Sequence, residues 1–414
     1  MTQQINSHKY DNGLTLLAEQ MPWLESAAFC LVVPAGSVYD PEGLWGINNL
    51  ACDMVQRGCG SRNSRQFVED LERLGVDGSE SVSSAHTTFS GATIASNLLP
   101  ALSIYADLVR EPHLPAEQLE DSRQVCFQEL RAAEDDLAHK VLQRVRFREY
   151  PLPWGRPVHG EWDSVEAITM DDVQRQAKLC YRPNGTVISV AGNIDWPRLR
   201  DHVGQLFGSW AQGPVPSIAE QPPLRAVEHI PHEAQQTHIA ISYPSVPYRN
   251  PDYFQARGVV GVLSDGMSSR LFTEVREKRG LCYTVYASCH TLRDRGAVIC
   301  YSGTSADRAQ ETLDVILQEL RRITLGVEQA ELDRLKARIK SALIMQQESS
   351  SSRSLSIATD WYHLGRVMTL QELGGIVDAL TAESLSAYIA KNPPRDFTVV
   401  SLGAKPLEVN VGIS

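Results

Sequence analysis

From Ser26 to Val33 the chain reads SAAFCLVV, an apolar run that ends at Pro34, passes through a turn and reaches Asp40-Pro41. Such a run, closed by Pro and Gly, predicts a strand and its end. The plan returns in QTHIAISYPSVPYRNPDY (236–253), where a strand ends at Pro244 and a turn leads to Asn250-Pro251. Pro34 and Pro244 are 210 residues apart, as are Pro41 and Pro251. A later pair matches GTVISVAGNI (185–194) with FTVVSLGAKP (397–406), Thr186 and Thr398 being 212 residues apart. The segments before those strands also agree. Each has an Asp, a Thr placed to cap a short amphipathic helix, and a Pro before the strand. Ordered matches at nearly constant offset predict an internal duplication.

The expected division is residues 1–212, a linker at 213–224, and residues 225–414. The stretch AQGPVPSIAEQPPLR (211–225) has the Pro-rich, polar composition of a boundary. Within each half, β-branched strands alternate with long helical patterns, the longest at 115–150 and 328–347. Strands and helices without regular βαβ alternation predict the α+β class: two similar α/β sandwich domains, each a mostly antiparallel sheet with helices on one face.

Composition narrows the function. A chain of 414 residues suffices for two cores, and 43% hydrophobic with 21% charged residues is the balance of a globular protein. The net charge of −11 argues against nucleic acid as a partner, and basic runs such as REKRG (276–280) are flanked by acids. No stretch approaches the ~18 apolar residues of a membrane helix, so no membrane partner is expected. The first residues lack the basic-then-apolar pattern of a signal peptide. Eight cysteines without a CxxC pair read as buried thiols in a reducing compartment. The cytoplasm is the expected location, the periplasm the alternative.

The chemistry-bearing stretch of the first copy is GINNLACDMVQRGCG (46–60). Asp40 is placed to cap a helix with Pro41 in its first turn. Leu44, Ile47, Leu50, Ala51, Met54 and Val55 form its apolar face, with Trp45, Asn49, Cys52, Asp53 and Gln56 on the other. A zinc peptidase helix sets two His four residues apart on such a face, with a Glu as the base that activates water. Asn49, Cys52 and Asp53 stand at that spacing, and none is the residue type required. HIPHE (229–233) has metal-like spacing, but Pro231 breaks the helix needed to present both imidazoles, and the segment leads into a strand. His86 and His290 stand singly in strand-like stretches and read as packing residues.

In the second copy, LSDGMSSRLFTEVREKRGLCYTVYASC (263–289) predicts a helix edged by Leu271, Phe272 and Val275 and closed by Gly280 in a left-handed cap. A strand from near Cys282 would set Tyr283, Val285 and Ala287 on one face and Thr284, Tyr286 and Ser288 on the other. Arg276 and Tyr283 then converge across the cap. By residue type alone the pair also fits a solvated helix-end Arg and a half-buried strand Tyr.

On these motifs the chain resembles one subunit of the pitrilysin, insulin-degrading enzyme and mitochondrial processing peptidase superfamily. Its members carry an inverted H-x-x-E-H motif, typically within G-x-x-H-x-x-E-H. Aligning Gly46 with that glycine puts Asn49 at the first His, Cys52 at the catalytic Glu and Asp53 at the second His. VCFQEL (125–130) matches the pattern of the third ligand and supplies Glu129, 76 positions after Asp53. The resemblance implies that this chain binds no metal and that zinc belongs to a partner. It also implies that Arg276 and Tyr283, at the family's spacing, hydrogen-bond a substrate carbonyl as it becomes tetrahedral. The implied function is the non-zinc subunit of a heterodimeric zinc metallopeptidase, inactive alone, paired with a homologous H-x-x-E-H chain around a peptide. Two other readings stand beside it. One is a structural or assembly subunit akin to respiratory core proteins. The other is a peptide-binding module adding a strand at an edge such as SESVSSAHTTFSG (79–91).

Overall fold

The computed structural model describes residues 3–409. The first half contributes β1 (Gln4–Lys9), β2 (Thr15–Gln20), β3 (Ser26–Val33), a small ribbon of β4 (Gly58–Cys59) and β5 (Arg62–Asn63), β6 (Asp77–Val82), β7 (Thr87–Ile94) and β8 (Val187–Gly192). The second half contributes β9 (Val227–Pro231), β10 (Gln236–Ser245), β11 (Cys282–Thr291), β12 (Gly296–Ser305) and β13 (Thr398–Gly403). Four helices build the site or cover the sheets: α1 (Ile47–Val55), α2 (Leu119–Asp135), α3 (Leu137–Glu149) and α4 (Ser350–Leu364).

The duplication is written into the sheets. One runs β1-β2-β8-β3-β7-β6 and the other β9-β13-β10-β12-β11. In each, a single parallel pair, β2 with β8 or β13 with β9, adjoins an otherwise antiparallel sheet. The capping threonines of both copies behave alike. Thr169 and Thr381 each close a capping box at the start of the helix before the last strand.

Each sheet has a core on one face. Leu16, Phe29, Leu31, Phe89 and Ile188 are buried in the first, and Ile239, Ile241, Val298, Cys300 and Val399 in the second. The other face is also covered, by one helix. On the first sheet α4 lays Ile357 and Ala358 against Leu17, Cys30, Val32 and Val187. On the second sheet α3 lays Val141 and Val145 against Ala240, Ile299, Val400 and Leu402.

These helices come from the opposite halves of the chain, so the compact units do not follow the contiguous division at 213–224. One unit comprises the described part of 1–132 with 156–220 and 345–369. The other comprises 133–155, 221–344 and the described part of 370–414. Buried polar links seat both helices. Arg353 of α4, fully buried, pairs with Glu19 at 2.7 Å, and Ser189 donates to the Ser354 carbonyl at 2.6 Å. At the end of α3, buried Glu149 accepts from Ser242 at 2.9 Å, Thr398 at 3.1 Å and Arg225 at 3.1 Å. Removing one partner of such a buried set leaves an uncompensated charge and costs roughly 3–5 kcal/mol.

The long helical pattern at 115–150 is therefore two helices. Asp136 interrupts it by accepting the His139 amide as an N-cap, and α2 and α3 belong mainly to different units.

Candidate functional site

Helix α1 starts later than its sequence suggests. Asp40 does not cap a helix that begins at Pro41. The chain turns through 41–46, and Gly46 enters α1 with φ +97°. Asp40 still organises the start, accepting from the Gly46 amide at 2.7 Å and from Asn48 Nδ2 at 2.7 Å. Burial pushes its carboxyl up to about 7, against these hydrogen bonds and the nearby Arg156 charge. The turn fits because Gly160 lies against it, and a Cβ there would stand 2.1 Å from the Trp45 carbonyl. That contact places His159 beside the site.

Of the residues at the metal-motif positions, Asn49 and Glu129 are joined to each other. Asn49 donates from Nδ2 to Glu129 Oε2 at 2.6 Å, and weakly to Cys126 Sγ at 3.7 Å. His159 Nδ1 lies 3.5 Å from the same Glu129 oxygen. The His159 hydrogen bond, followed by that of Asn49, holds the Glu129 carboxyl below its usual range against the opposing effect of burial. Asp53 is occupied from the other side, accepting from Arg57 Nε at 2.8 Å and from the Ser122 hydroxyl.

Cys52 departs from the polar face expected for it. It is buried in the sheet core with Val55, while Ile47, Leu50, Ala51 and Met54 pack into a separate cluster with α2 and the Met170–Cys180 helix. Burial, then the charges of Glu80, Asp53 and Glu129, raise the Cys52 thiol well above its ordinary value. Such a rise favours the neutral thiol over the thiolate that metal binding or base chemistry requires.

The donor set does not fit zinc. An amide nitrogen stands where an imidazole is needed and faces Glu129 as a donor, and Asp53 is already paired. Among the described residues no group of three or more His, Cys, Asp or Glu side chains is arranged to hold a metal ion. His159, Ser122, Arg57 and Cys126 complete this network and carried no signal in the sequence pattern.

Arg276 and Tyr283, by contrast, are brought together. The segment expected as an α-helix is a π-helix over Phe272–Glu277, with the Lys278 amide reaching the Thr273 carbonyl. Leu271 and Val275 keep their places in the core, and Gly280 takes the left-handed cap with φ +58°. Arg276 Cζ then lies 4.7 Å from the centre of the Tyr283 ring and 4.8 Å from that of Phe272.

The strand alternation fails at Tyr283. The register of β11 on β12 slips between Cys282 and Thr284, so Tyr283 is the extra residue of a bulge. Val285 and Ala287 face the core, whereas Tyr283 is 80% exposed. Tyr286 turns to the other face, its ring 5.4 Å from that of Tyr301. A π-turn and a bulge thus aim one cation and one hydroxyl outward together. His229, Ile230 and Pro231 of HIPHE end β9 (Val227–Pro231), and His290 accepts or donates at 2.8 Å with Tyr150.

Comparison with known proteins gives this geometry a family. Residues 15–155 match the family model described as Insulinase (Peptidase family M16), and residues 167–339 match that described as Peptidase M16 inactive domain. The chain belongs to peptidase family M16. An uncharacterized zinc protease of Rickettsia bellii is 27% identical, over 93% of this chain and 94% of its own. The uncharacterized zinc protease YmxG of Bacillus subtilis is 26% identical, over 95% and 97%. Among solved structures, a peptidase M16 inactive domain from Pseudomonas fluorescens superposes with a TM-score of 0.89 at 21% identity, over 98% of this chain and 100% of that one. A chain of Complex III2 from Candida albicans does so at 0.84 and 19%, over 97% and 96%. These likenesses carry the M16 fold across both copies. Among the described residues no helix is long and apolar enough to cross a membrane.

Proposed function

We propose that this M16 chain is the non-zinc subunit of a two-chain metallopeptidase, supplying Arg276 and Tyr283 to the zinc site of a homologous H-x-x-E-H partner. The observation that carries the reading is an asymmetry. The metal-motif positions are closed by the Asn49–Glu129 hydrogen bond, while Arg276 and exposed Tyr283 are stacked and presented outward. In this role the guanidinium and the phenol donate to the substrate carbonyl oxygen as negative charge develops on it, where one lost donor costs a factor of ~10²–10³. Eight free thiols support a reducing compartment, in keeping with the cytoplasm.

A structural or assembly role has one observation in its favour, the likeness to the Complex III2 chain. It gives no reason for the Arg276–Tyr283 stack. Mixing decides between the two. This chain and an H-x-x-E-H homologue from the same genome are each assayed alone and together on a quenched fluorescent peptide library, with zinc measured by elemental analysis. Cleavage by the mixture alone, with zinc travelling with the homologue, is expected. Association without any gain in cleavage would favour the structural role.

A further inference from the structure

The unit built on the second sheet holds a cavity of about 790 Å³ that takes no part in the role proposed for Arg276 and Tyr283. Its walls are the segment entering the π-turn, the end of the Ala309–Arg322 helix, the turn through Gly326 and the first turns of two further helices, Gln329–Gln346 and Ala382–Lys391. Five glutamates and two arginines line it.

Most of that charge is already spoken for. Glu331 takes Arg270 in a bidentate pair, with both contacts at 2.7 Å. Glu274 is paired with Lys278 at 2.6 Å and Arg279 at 2.8 Å. Glu328 and Glu383 are exposed on the rim. Glu319 differs. Its side chain is 3% exposed, and Oε1 has Arg322 at 3.3 Å, a residue itself 54% exposed. Its Oε2 is buried and has no hydrogen-bond partner among the described residues. A buried carboxylate oxygen without a donor is costly, by roughly 1–3 kcal/mol or more for a charged group, and such groups in native proteins call for an explanation.

We propose that this cavity binds an organic cation, a guanidinium or ammonium head on an alkyl stem, with the head donating to Glu319 Oε2. Arg270 does not supply the donor: its Nε and Nη2 go to Glu331, Nη2 also to the Gly326 carbonyl at 2.8 Å, and no hydrogen bond reaches Glu319 Oε2. A metal ion does not suit the site, since the lining carboxylates do not form a group arranged to hold one. A head with several N–H donors meets a lone acceptor and an acidic rim at once, and charge-assisted hydrogen bonds are the strong kind. Thr273 and Glu274 in the wall belong to the same π-turn as Arg276, so an occupant would lie against the element that presents Arg276.

Calorimetric titration of the full chain tests this with two probes bearing the same head: agmatine, a free cation, and N-acetyl-arginine amide, a peptide-like one. Saturable binding of at least one is expected, and the tighter of the two identifies the source. N-acetyl-citrulline amide, isosteric and neutral, should bind at least about tenfold more weakly. Glu319→Gln should weaken the cation by about tenfold or more, whereas Glu80→Gln, remote and exposed, should not. Arg322→Ala should tighten binding, because it removes the cation paired with Glu319 Oε1, and this variant decides the matter if Glu319→Gln fails to fold. Absence of saturable heat with both cations up to about 10 mM, equal binding of the citrulline analogue, or weakened binding in Arg322→Ala would each overturn the proposal.

Discussion

Asn49 carries an amide where a zinc-binding helix needs an imidazole. An imidazole there could lend a lone pair to a metal. The amide instead donates a hydrogen to Glu129 at 2.6 Å, satisfying a carboxylate that would otherwise need a cation. Asp40, a short way earlier in the chain, makes a pH-dependent contribution that can be measured. The unfolded chain releases its proton near pH 4, whereas burial keeps it in the folded protein up to about 7. Within that window the folded state binds more protons. The contribution of Asp40 to stability is therefore fullest below about pH 4 and declines by about 1.4 kcal/mol per pH unit until about pH 7. Urea unfolding of the wild type and Asp40→Asn at pH 4.5 and 7.5 should show the wild type losing ground against the variant as pH rises. A difference independent of pH would contradict the assignment. At this scale the contact of Asn49 with Glu129 was legible, because motif spacing sets the two positions opposite each other. The burial of Cys52 was not, since a helix between two cores has no purely polar face. His159 was also hidden, because it is a single histidine in a Pro- and Gly-containing loop, placed by the backbone contact of Gly160 with residue 45.

Among the elements, α3 and α4 carry the least expected result. Strand β3 is apolar on both faces, and an uninterrupted apolar run implies cover on both sides. The covering helix could not be named from the sequence, because it comes from the other half of the chain. Residues 1–212 alone would lack α4 and expose Leu17, Cys30, Val32 and Val187, with Glu19 left unpaired by Arg353. At roughly 1.5–3 kcal/mol for each large apolar side chain exposed, the loss rivals the whole ~5–15 kcal/mol stability of a domain. Expressed separately, 1–212 and 225–414 should each lack a cooperative thermal transition, and co-expression should restore one. Cooperative unfolding of either half alone would mean that the exchanged helices are dispensable. The π-turn and the β11 bulge were illegible for a related reason. Each adds one residue to a regular pattern, and a pattern read with constant period assigns Tyr283 to the wrong face.

For the whole molecule, the duplication was readable because matching strand ends and capping threonines recur at near-constant offset, and the two sheets repeat one strand order. What the two copies present differs. The first has closed its metal-motif positions with internal hydrogen bonds, and the second presents Arg276 and Tyr283. The central claim is that this pair acts on the oxygen of the substrate carbonyl in an enzyme completed by a zinc-bearing partner. The most direct test is the steady-state kinetics of the assembled pair carrying Tyr283→Phe, Arg276→Ala or Tyr286→Phe in this chain, with assembly and zinc content verified for each. A fall in kcat of ~10²-fold or more is predicted for the first two, with a modest change in KM, and a mild effect for Tyr286→Phe, whose ring lies beside Tyr301 on the other face. Equal behaviour of the two tyrosine variants, or an Arg276→Ala defect traced wholly to lost assembly, would contradict the claim.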